Sequence, residues 1–383
     1  MEVSINPKKK NKILITVPHF TSSASPYREM MALAKYLPEE GYSPTICALR
    51  KNGIEETGPL LDNLGIPYFY AKFRVKKISQ ISNFLKAEKQ IENNGPFLLQ
   101  HSFDFTSLPL EAIVARLNGR KFIHQQRDKN EGGHLFLFRI KLLLANAIIA
   151  CSPNTEEFLL NINIKRNKIS QIPLGINLGE PNPKQISVDR SNRIMTPTLV
   201  MVSNLVPLKR IEDAINACAD LVKDYPTIQL NVIGATHDSS YKGKIDLLIK
   251  QRNLQENVNL LGSFPNPEVL AAMGNADIFI HCAELEAFGW VLLEAFSQRL
   301  PVVAANSEGA SDIIHDGING FLFPVGNIAV LVEKTRALLN NLPLRERVTN
   351  NAIMDVQQTY SARKMVKRIA AVYDRVLQND TNA

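Results

Sequence analysis

The chain has 383 residues, more than one ordinary hydrophobic core contains, so two domains are expected. Hydrophobic residues make up 45% and charged residues 21% of the sequence, which is typical of a globular protein. The longest apolar stretch, 135–151, is interrupted by basic residues and is too short to predict a membrane span. The net charge of +7 is moderate, and the absence of a basic module with interleaved aromatic residues argues against a nucleic-acid partner.

The N-terminus carries several lysines before a short β-like segment, with no cleavage site, so a signal peptide is not expected. The cysteines lie in apolar contexts without paired spacing, which predicts buried thiols in a reducing cytoplasm. They are Cys47, Cys151, Cys218 and Cys282.

In the first half of the chain, short β-branched segments alternate with longer amphipathic ones. This alternation predicts a parallel sheet with right-handed crossovers, in a Rossmann-like domain. The segments predicted as strands are 13–17, 43–49, 67–70, 97–101, 121–124, 147–151 and 169–172.

Polar residues follow or end several of these strands, where side chains of a parallel sheet converge on ligands. After the first strand, Ser25 can cap a helix. His101 and His124 end two other strands, and each imidazole could bind a ligand or only hydrogen-bond within the protein. Arg127 and Asp128 come next, and the sequence leaves open whether they recognise a ligand or form a surface ion pair.

A segment rich in Pro, Asn, Ser and charge then predicts an interdomain linker. Further predicted strands follow at 198–202, 229–233, 257–261, 277–281 and 301–304, and the tail is helical by periodicity. The predicted organisation is therefore domain 1–178, linker 179–196, domain 197–360 and a last helix within 361–383.

Two carboxylates stand out in the run 282–326, where Glu286 and Glu294 bracket the start of a predicted helix of about ten residues. Eight helical residues rise about 12 Å, so the two acids are too far apart to share one proton or one metal. Between them, the N–H groups of Phe288, Gly289 and Trp290 are predicted to open the helix and form an anion site with its dipole. These residues therefore predict a pocket for one extended, anionic ligand.

This pattern resembles the E-x7-E motif of the GT-B glycosyltransferases of family 4. Glu286 and Glu294 fit the acidic positions, and the flanks fit a Pro-Val-Val-Ala strand at 301–304 and a glycine-rich turn at 316–320. The resemblance implies an α/β fold of the GT-B type. Its two Rossmann-like domains would face each other across a cleft, and the last helix would cross back to the first domain.

Other segments resemble the family with departures. Lys209 matches the lysine of the family's Gly-Arg-Leu-x-x-x-Lys segment, while Asn204 stands at its arginine. Ala24 and Ser25 stand where a Gly-Gly pair usually approaches the donor phosphates, and Arg299 stands where Gly is usual.

The resemblance implies that these residues bind a nucleotide sugar. Glu294 would hold the ribose hydroxyls and Glu286 the hydroxyls of the transferred sugar, because carboxylates accept hydrogen bonds from hydroxyl pairs. Lys209 and the helix N-terminus would stabilise charge on the departing diphosphate, and His124 would face the donor sugar. The predicted catalytic residues are Glu286, Lys209 and His124, and the predicted donor-binding residues are Asn204, Lys209, Glu286, Phe288, Gly289, Trp290, Glu294 and Ser25.

The other common glycosyltransferase fold holds a metal with an Asp-x-Asp pair, which is absent from this chain. Transfer is therefore expected to be metal-independent, without a cofactor, and the resemblance implies retention of anomeric configuration. The expected partners are a nucleotide-sugar donor and a glycan or lipid-linked acceptor, in cell-surface polysaccharide or glycoconjugate biosynthesis.

The expected location is the cytoplasm. Basic clusters at 8–12 and 72–77 suggest the hypothesis of peripheral contact with anionic lipid at the inner face of the membrane. An alternative reading is a noncatalytic relative that acts as a binding partner, which the departures at Asn204, Ala24, Ser25 and Arg299 motivate. A second alternative is another GT-B enzyme, such as a sugar-nucleotide epimerase.

Overall fold

A computed structural model describes residues 11–21, 25–71, 81–129, 133–177, 196–286 and 288–378. The chain divides into two compact units, Met1–Asn177 with Ser361–Ala383, and Leu178–Tyr360. The predicted linker lies outside the described residues except for Thr196, and so do the two basic clusters except for Lys12.

The first unit is built on a seven-stranded sheet whose neighbouring strands are all parallel. Its strands are β1 (Asn11–Val17), β2 (Tyr42–Ala48), β3 (Tyr68–Tyr70), β4 (Leu99–Ser102), β5 (Lys121–Gln126), β6 (Ala147–Ala150) and β7 (Ile169–Gln171). Their spatial order is β3-β2-β1-β4-β5-β6-β7. All seven predicted strands are confirmed, with boundaries that move by two residues or fewer.

Helices connect these strands, as parallel neighbours require. They are α1 (Ser25–Tyr36), α2 (Ile54–Asn63), α3 (Ile81–Asn94), α4 (Leu110–Leu117), α5 (Leu135–Leu144) and α6 (Pro153–Asn161). Helix α1 begins at Ser25, whose capping role stays a prediction, and Ala24 lies outside the described residues. Ser152 caps the start of α6, because its Oγ accepts a hydrogen bond from the Thr155 N–H at 3.2 Å.

The second unit is built on a six-stranded parallel sheet with the order β10-β9-β8-β11-β12-β13. Its strands are β8 (Thr198–Val202), β9 (Gln229–Ile233), β10 (Val258–Gly262), β11 (Ile278–His281), β12 (Val302–Ala305) and β13 (Phe321–Phe323). The five predicted strands are confirmed within one residue. The sixth, β13, was not predicted, because three residues after a glycine-rich turn are too few to show a period.

The helices described in this unit are α7 (Ile211–Leu221), α8 (Ser239–Gln251), α9 (Asn266–Asn275), α10 (Trp290–Ser297), α11 (Glu308–Ile313), α12 (Ile328–Asn340) and α13 (Leu342–Gln358). One apolar core of this unit contains residues of all six strands and of the helices α7, α8, α12 and α13. The α/β class with two Rossmann-like sheets is therefore confirmed.

The last helix, α14 (Ala362–Gln378), belongs to the first unit, where it packs against α1. Its buried face includes Met365, Ile369 and Tyr373, and the Tyr373 hydroxyl lies 2.6 Å from His101 Nδ1. Within the described ranges, no helix combines the length and apolar character needed to cross a membrane. The four cysteines are buried free thiols, as predicted.

Candidate active site

The carboxyl ends of β8 and β11 bring two predicted site residues of the second unit into contact. Lys209 lies at the end of a short 3-10 turn after β8, and Glu286 lies in the loop between β11 and α10. Lys209 Nζ donates a hydrogen bond to Glu286 Oε2 at 2.7 Å. The side chains are 23% and 18% exposed, so the pair is partly shielded from water. The sequence predicted both residues for one site but not this direct bond between them.

Glu286 has two further neighbours. Its carboxylate accepts a hydrogen bond from the Phe288 N–H, and Oε2 lies 3.5 Å from His281 Nε2. Burial by itself would raise the pKa of Glu286, but Lys209, His281 and these hydrogen bonds outweigh it and lower the pKa below its usual value. Glu286 is therefore an ionised carboxylate held at a fixed place.

His281 ends β11 and is 1% exposed. Its ring stacks on that of Phe279, with centroids 6.4 Å apart and planes at 15°. Burial lowers the pKa of His281 to about 4, with Glu286 opposing and Lys209 adding to the shift. The imidazole is therefore neutral near pH 7. The sequence analysis missed this residue, although a histidine closing an otherwise apolar strand was the available signal.

The start of α10 differs from the prediction. The helix begins at Trp290 rather than Phe288, because Gly289 adopts a left-handed backbone with φ of 94°. A side chain there would also meet Leu292 Cδ1 at 2.9 Å, so both φ and space favour glycine. The Phe288 N–H is not an open anion donor, since it binds Glu286. The prediction that Phe288, Gly289 and Trp290 all offer N–H groups to an anion is therefore wrong for Phe288.

Glu294 lies on α10 and is 8% exposed. Asn266, the first residue of α9, donates a hydrogen bond from Nδ2 to Glu294 Oε1 at 2.8 Å. Glu286 and Glu294, the two acidic residues of the predicted motif, are therefore both largely buried and hydrogen-bonded.

Asn204 follows β8 and is exposed. Its Oδ1 accepts a hydrogen bond from the Ala235 N–H at 3.3 Å, which ties together the loops after β8 and β9. Gly234 makes this approach possible, because a Cβ there would lie 1.9 Å from the Ser203 carbonyl oxygen. Arg210 pairs with Asp213 at 2.7 Å and Glu284 at 3.6 Å, so its charge is engaged within this unit.

The predicted histidines of the first unit are both buried and neutral. His124, at 1% exposure on β5, contacts Gln126 Oε1 through Nε2 at 2.8 Å, and its Nδ1 has no hydrogen-bond partner among the described residues. Burial lowers the pKa of His124 well below its usual value, and the Lys141 ammonium adds to the shift. His101 bonds Tyr373 and Gln125, which makes it a structural link to α14.

Arg127 forms an ion pair with a buried carboxyl of the first unit. Its Nε lies 2.8 Å from Oε2 of Glu29, a fully buried carboxyl on α1. Burial raises the pKa of Glu29 to about 7, against the opposing effect of Arg127. Arg127 therefore anchors the loop after β5 to α1. Ser25 is the first residue of the same helix, four positions before Glu29.

Comparison with known proteins places this geometry in a family. Residues 185–355 match the family model of glycosyl transferases group 1, and residues 28–180 match that of glycosyltransferase family 4. Between them, the two matches account for most of the chain. The chain belongs to the family 4 glycosyltransferases.

Among characterised relatives, this family 4 chain is similar to the capsular polysaccharide biosynthesis glycosyltransferase CapM of Staphylococcus aureus. The two are 25% identical over 248 residues, which cover 63% of this chain and 64% of CapM. The matched part thus spans slightly less than two thirds of that relative.

Solved structures share the GT-B fold of this family 4 chain. A glycosyltransferase from Rickettsia africae superimposes with a TM-score of 0.81 at 21% identity, covering 97% of this chain and 99% of the other. HepE of Anabaena, solved in complex with UDP and glucose, gives a TM-score of 0.75 at 21% identity and covers 95% and 100% of the two chains.

One departure from the family pattern has a visible structural consequence. Arg299, where this family usually carries glycine, has a left-handed backbone with φ of 53° after the end of α10. That conformation costs an L-residue about 1–2 kcal/mol, so glycine is the unstrained choice at this turn. The arginine side chain contacts Asn350 Oδ1 at 3.2 Å.

Proposed function

We propose that this protein is a retaining, metal-independent glycosyltransferase that moves a sugar from a nucleotide-sugar donor to a glycan or lipid-linked acceptor. One observation carries the proposal. The ionised Glu286 is fixed by Lys209, His281 and the Phe288 N–H at the carboxyl edge of the second sheet. In α/β proteins this edge is where ligands bind.

The chemistry of the pair suits a sugar diphosphate. An ammonium group has three N–H donors, and Lys209 uses one on Glu286, so phosphate oxygens can take others. The carboxylate of Glu286 has lone pairs left for sugar hydroxyls. Glu294 follows Glu286 by eight positions and accepts a hydrogen bond from Asn266, and it is suited to the ribose hydroxyls.

The leaving diphosphate gains negative charge as the bond to the sugar breaks. A positioned cation stabilises such charge in a partly dehydrated site without reorganisation during the reaction. Lys209 supplies this cation in the proposed reaction, and the chain has no Asp-x-Asp pair to supply a metal. We therefore expect EDTA to leave the transfer rate unchanged.

The relatives indicate where to look for substrates. CapM is named for capsular polysaccharide biosynthesis, and HepE was solved with UDP and glucose. We accordingly propose a role in cell-surface polysaccharide synthesis and take UDP and its sugar conjugates as the first donors to test. The reaction would take place in the cytoplasm, at the inner face of the membrane, and a vesicle-flotation assay with and without anionic lipid tests that placement.

The deciding experiment is a thermal-shift screen of the purified protein against UDP, GDP, ADP and CMP and their common sugar conjugates. A ligand at a hundred times its Kd adds about 2.7 kcal/mol of stability. Stabilisation by one nucleotide should be weakened in Lys209→Ala and Glu294→Ala. Lys223→Ala is the matched control, because it removes a lysine from an exposed pair with Asp220 in the same unit.

Activity is then measured as release of the free nucleotide from the stabilising conjugate, with and without glycan acceptors. NMR of the product tests retention, which predicts the same anomeric configuration as in the donor. If no nucleotide stabilises the protein and no conjugate is turned over, the function proposed here is wrong.

A further inference from the structure

His281 is a buried polar residue for which the proposed reaction has not yet given a role. Only 1% of it is exposed, and neither ring nitrogen forms a hydrogen bond to a described residue. Its nearest polar contact is the carboxylate of Glu286, with Nε2 to Oε2 at 3.5 Å. A buried polar group without a hydrogen bond costs stability, so its presence calls for a compensating role.

The charge state of the ring narrows that role. The charged groups that act on His281 are Glu286 and Lys209, and their effects oppose each other. Burial decides the balance and keeps the imidazole neutral, with its pKa near 4. A neutral ring has a single N–H, and a carboxylate beside Nε2 favours the tautomer that carries the proton there.

We propose that His281 is a positioning residue for Glu286, directing Nε2–H at Oε2 so that the carboxylate stays aimed at the sugar during transfer. This inference rests on the proposed function and deepens it. His281 acts through Glu286 and does not itself touch the donor.

The two side-chain partners of Glu286 differ in rigidity, which is why a second one is needed. Lys209 has a flexible four-carbon stem, is 23% exposed and must also bind the diphosphate. His281 is fixed on β11 by burial and by stacking on Phe279. When the Lys209 ammonium turns toward phosphate oxygens, His281 and the Phe288 N–H still hold the carboxylate.

The test compares His281→Leu, which fills the space without an N–H, with His281→Gln, whose amide nitrogen can replace Nε2–H. Trp290, the one tryptophan of the chain, begins α10 close to Glu286 in sequence and serves as a fluorescence probe of binding. The ligands are UDP and UDP-glucose, or the nucleotide and conjugate that the thermal screen selects. Turnover is measured with the same conjugate.

His281→Leu is expected to lower kcat on the order of 100-fold, the loss that a small displacement of a positioned group causes. It should remove the extra affinity for the sugar conjugate over the bare nucleotide. It should leave nucleotide affinity unchanged and should not lower the melting temperature, because leucine removes an unbonded polar group from the interior. His281→Gln should restore most of kcat. Because the ring is neutral, the pH profile of His281→Gln between 6 and 9 should match that of the unmutated protein.

Three results would overturn this role. One is an unchanged kcat in His281→Leu, and another is an equal loss of nucleotide and conjugate binding together with lower stability, which indicates a purely structural histidine. The third is an Nδ1–H tautomer in the ¹⁵N imidazole spectrum, with the His281 signal assigned by its absence in His281→Gln. Failure of the proposed function looks different, because the unmutated protein would then bind and turn over no nucleotide sugar.

Discussion

Replacing Lys209 by methionine removes the ammonium group whose Nζ lies 2.7 Å from Glu286 Oε2. A hydrogen bond to a charged group contributes about 1.5–3 kcal/mol when it is shielded from water. Partial exposure of the Lys209 and Glu286 side chains, 23% and 18%, brings the expected coupling down to roughly 1–2 kcal/mol. That coupling is the quantity to measure, because either single substitution also leaves the other charge unpaired.

A double-mutant cycle of Lys209→Met, Glu286→Gln and the double variant measures the coupling free energy between the two side chains. Urea unfolding is followed by the fluorescence of Trp290, which lies in the second unit and therefore reports the unfolding of that unit. Equal m-values across the four proteins are required for the free energies of unfolding to be compared.

The exposed pair of Lys223 and Asp220 is the matched control, since its atoms are also 2.7 Å apart but the side chains are 73% and 49% exposed. The corresponding cycle, Lys223→Met with Asp220→Asn, should give a coupling of about 0.5 kcal/mol or less. Salt at 1 M should remove most of the coupling between Lys223 and Asp220 but little of the coupling between Lys209 and Glu286. Two equal couplings would refute the conclusion that Lys209 and Glu286 form a shielded pair.

Further predictions concern the folded state of both units. Arg299→Gly should stabilise the second unit by about 1 kcal/mol by relieving its left-handed backbone, and Arg299→Ala, which keeps the strain, should not; equal melting temperatures for both would contradict this. Gly234→Ala should destabilise that unit by several kcal/mol, since its Cβ would clash with the Ser203 carbonyl, and a near-neutral change in urea unfolding would show that the two loops can separate. Burial lowers the pKa of His101 to about 3, so the unfolded chain binds a proton below pH 6.5 that the folded chain does not, and stability is lost as the pH falls. Between pH 6 and 5, the free energy of unfolding of the unmutated protein should therefore fall more steeply than that of His101→Gln, by up to about 1.4 kcal/mol per pH unit. Circular dichroism measures both proteins, and parallel plots of the free energy of unfolding against pH would disprove the assignment.

The sequence was sufficient to predict both sheets because buried parallel strands appear as short β-branched runs between helical patterns. It did not predict β13, which has three residues, nor the true start of α10. The latter depends on the positive φ of Gly289, and a glycine in the sequence permits that conformation without requiring it.

The sequence predicted residues of the candidate site but not the hydrogen bonds between them. Lys209 and Glu286 are 77 positions apart, and their contact depends on how β8 and β11 place the following loops side by side. The roles assigned to Glu294, Asn204 and His124 in substrate binding stay predictions. His281 escaped notice because a histidine at a strand end looks the same whether it faces the core or a carboxylate.

The position of α14 has a consequence for the order in which the protein is made. The first unit needs this helix, since Tyr373 binds His101 on β4 and Asp374 accepts a hydrogen bond from the Tyr42 hydroxyl at 2.6 Å. Both residues of α14 are synthesised after the whole of the second unit. A nascent chain on the ribosome can therefore complete the later unit first, while the earlier one waits with an uncovered apolar face for the last residues to emerge.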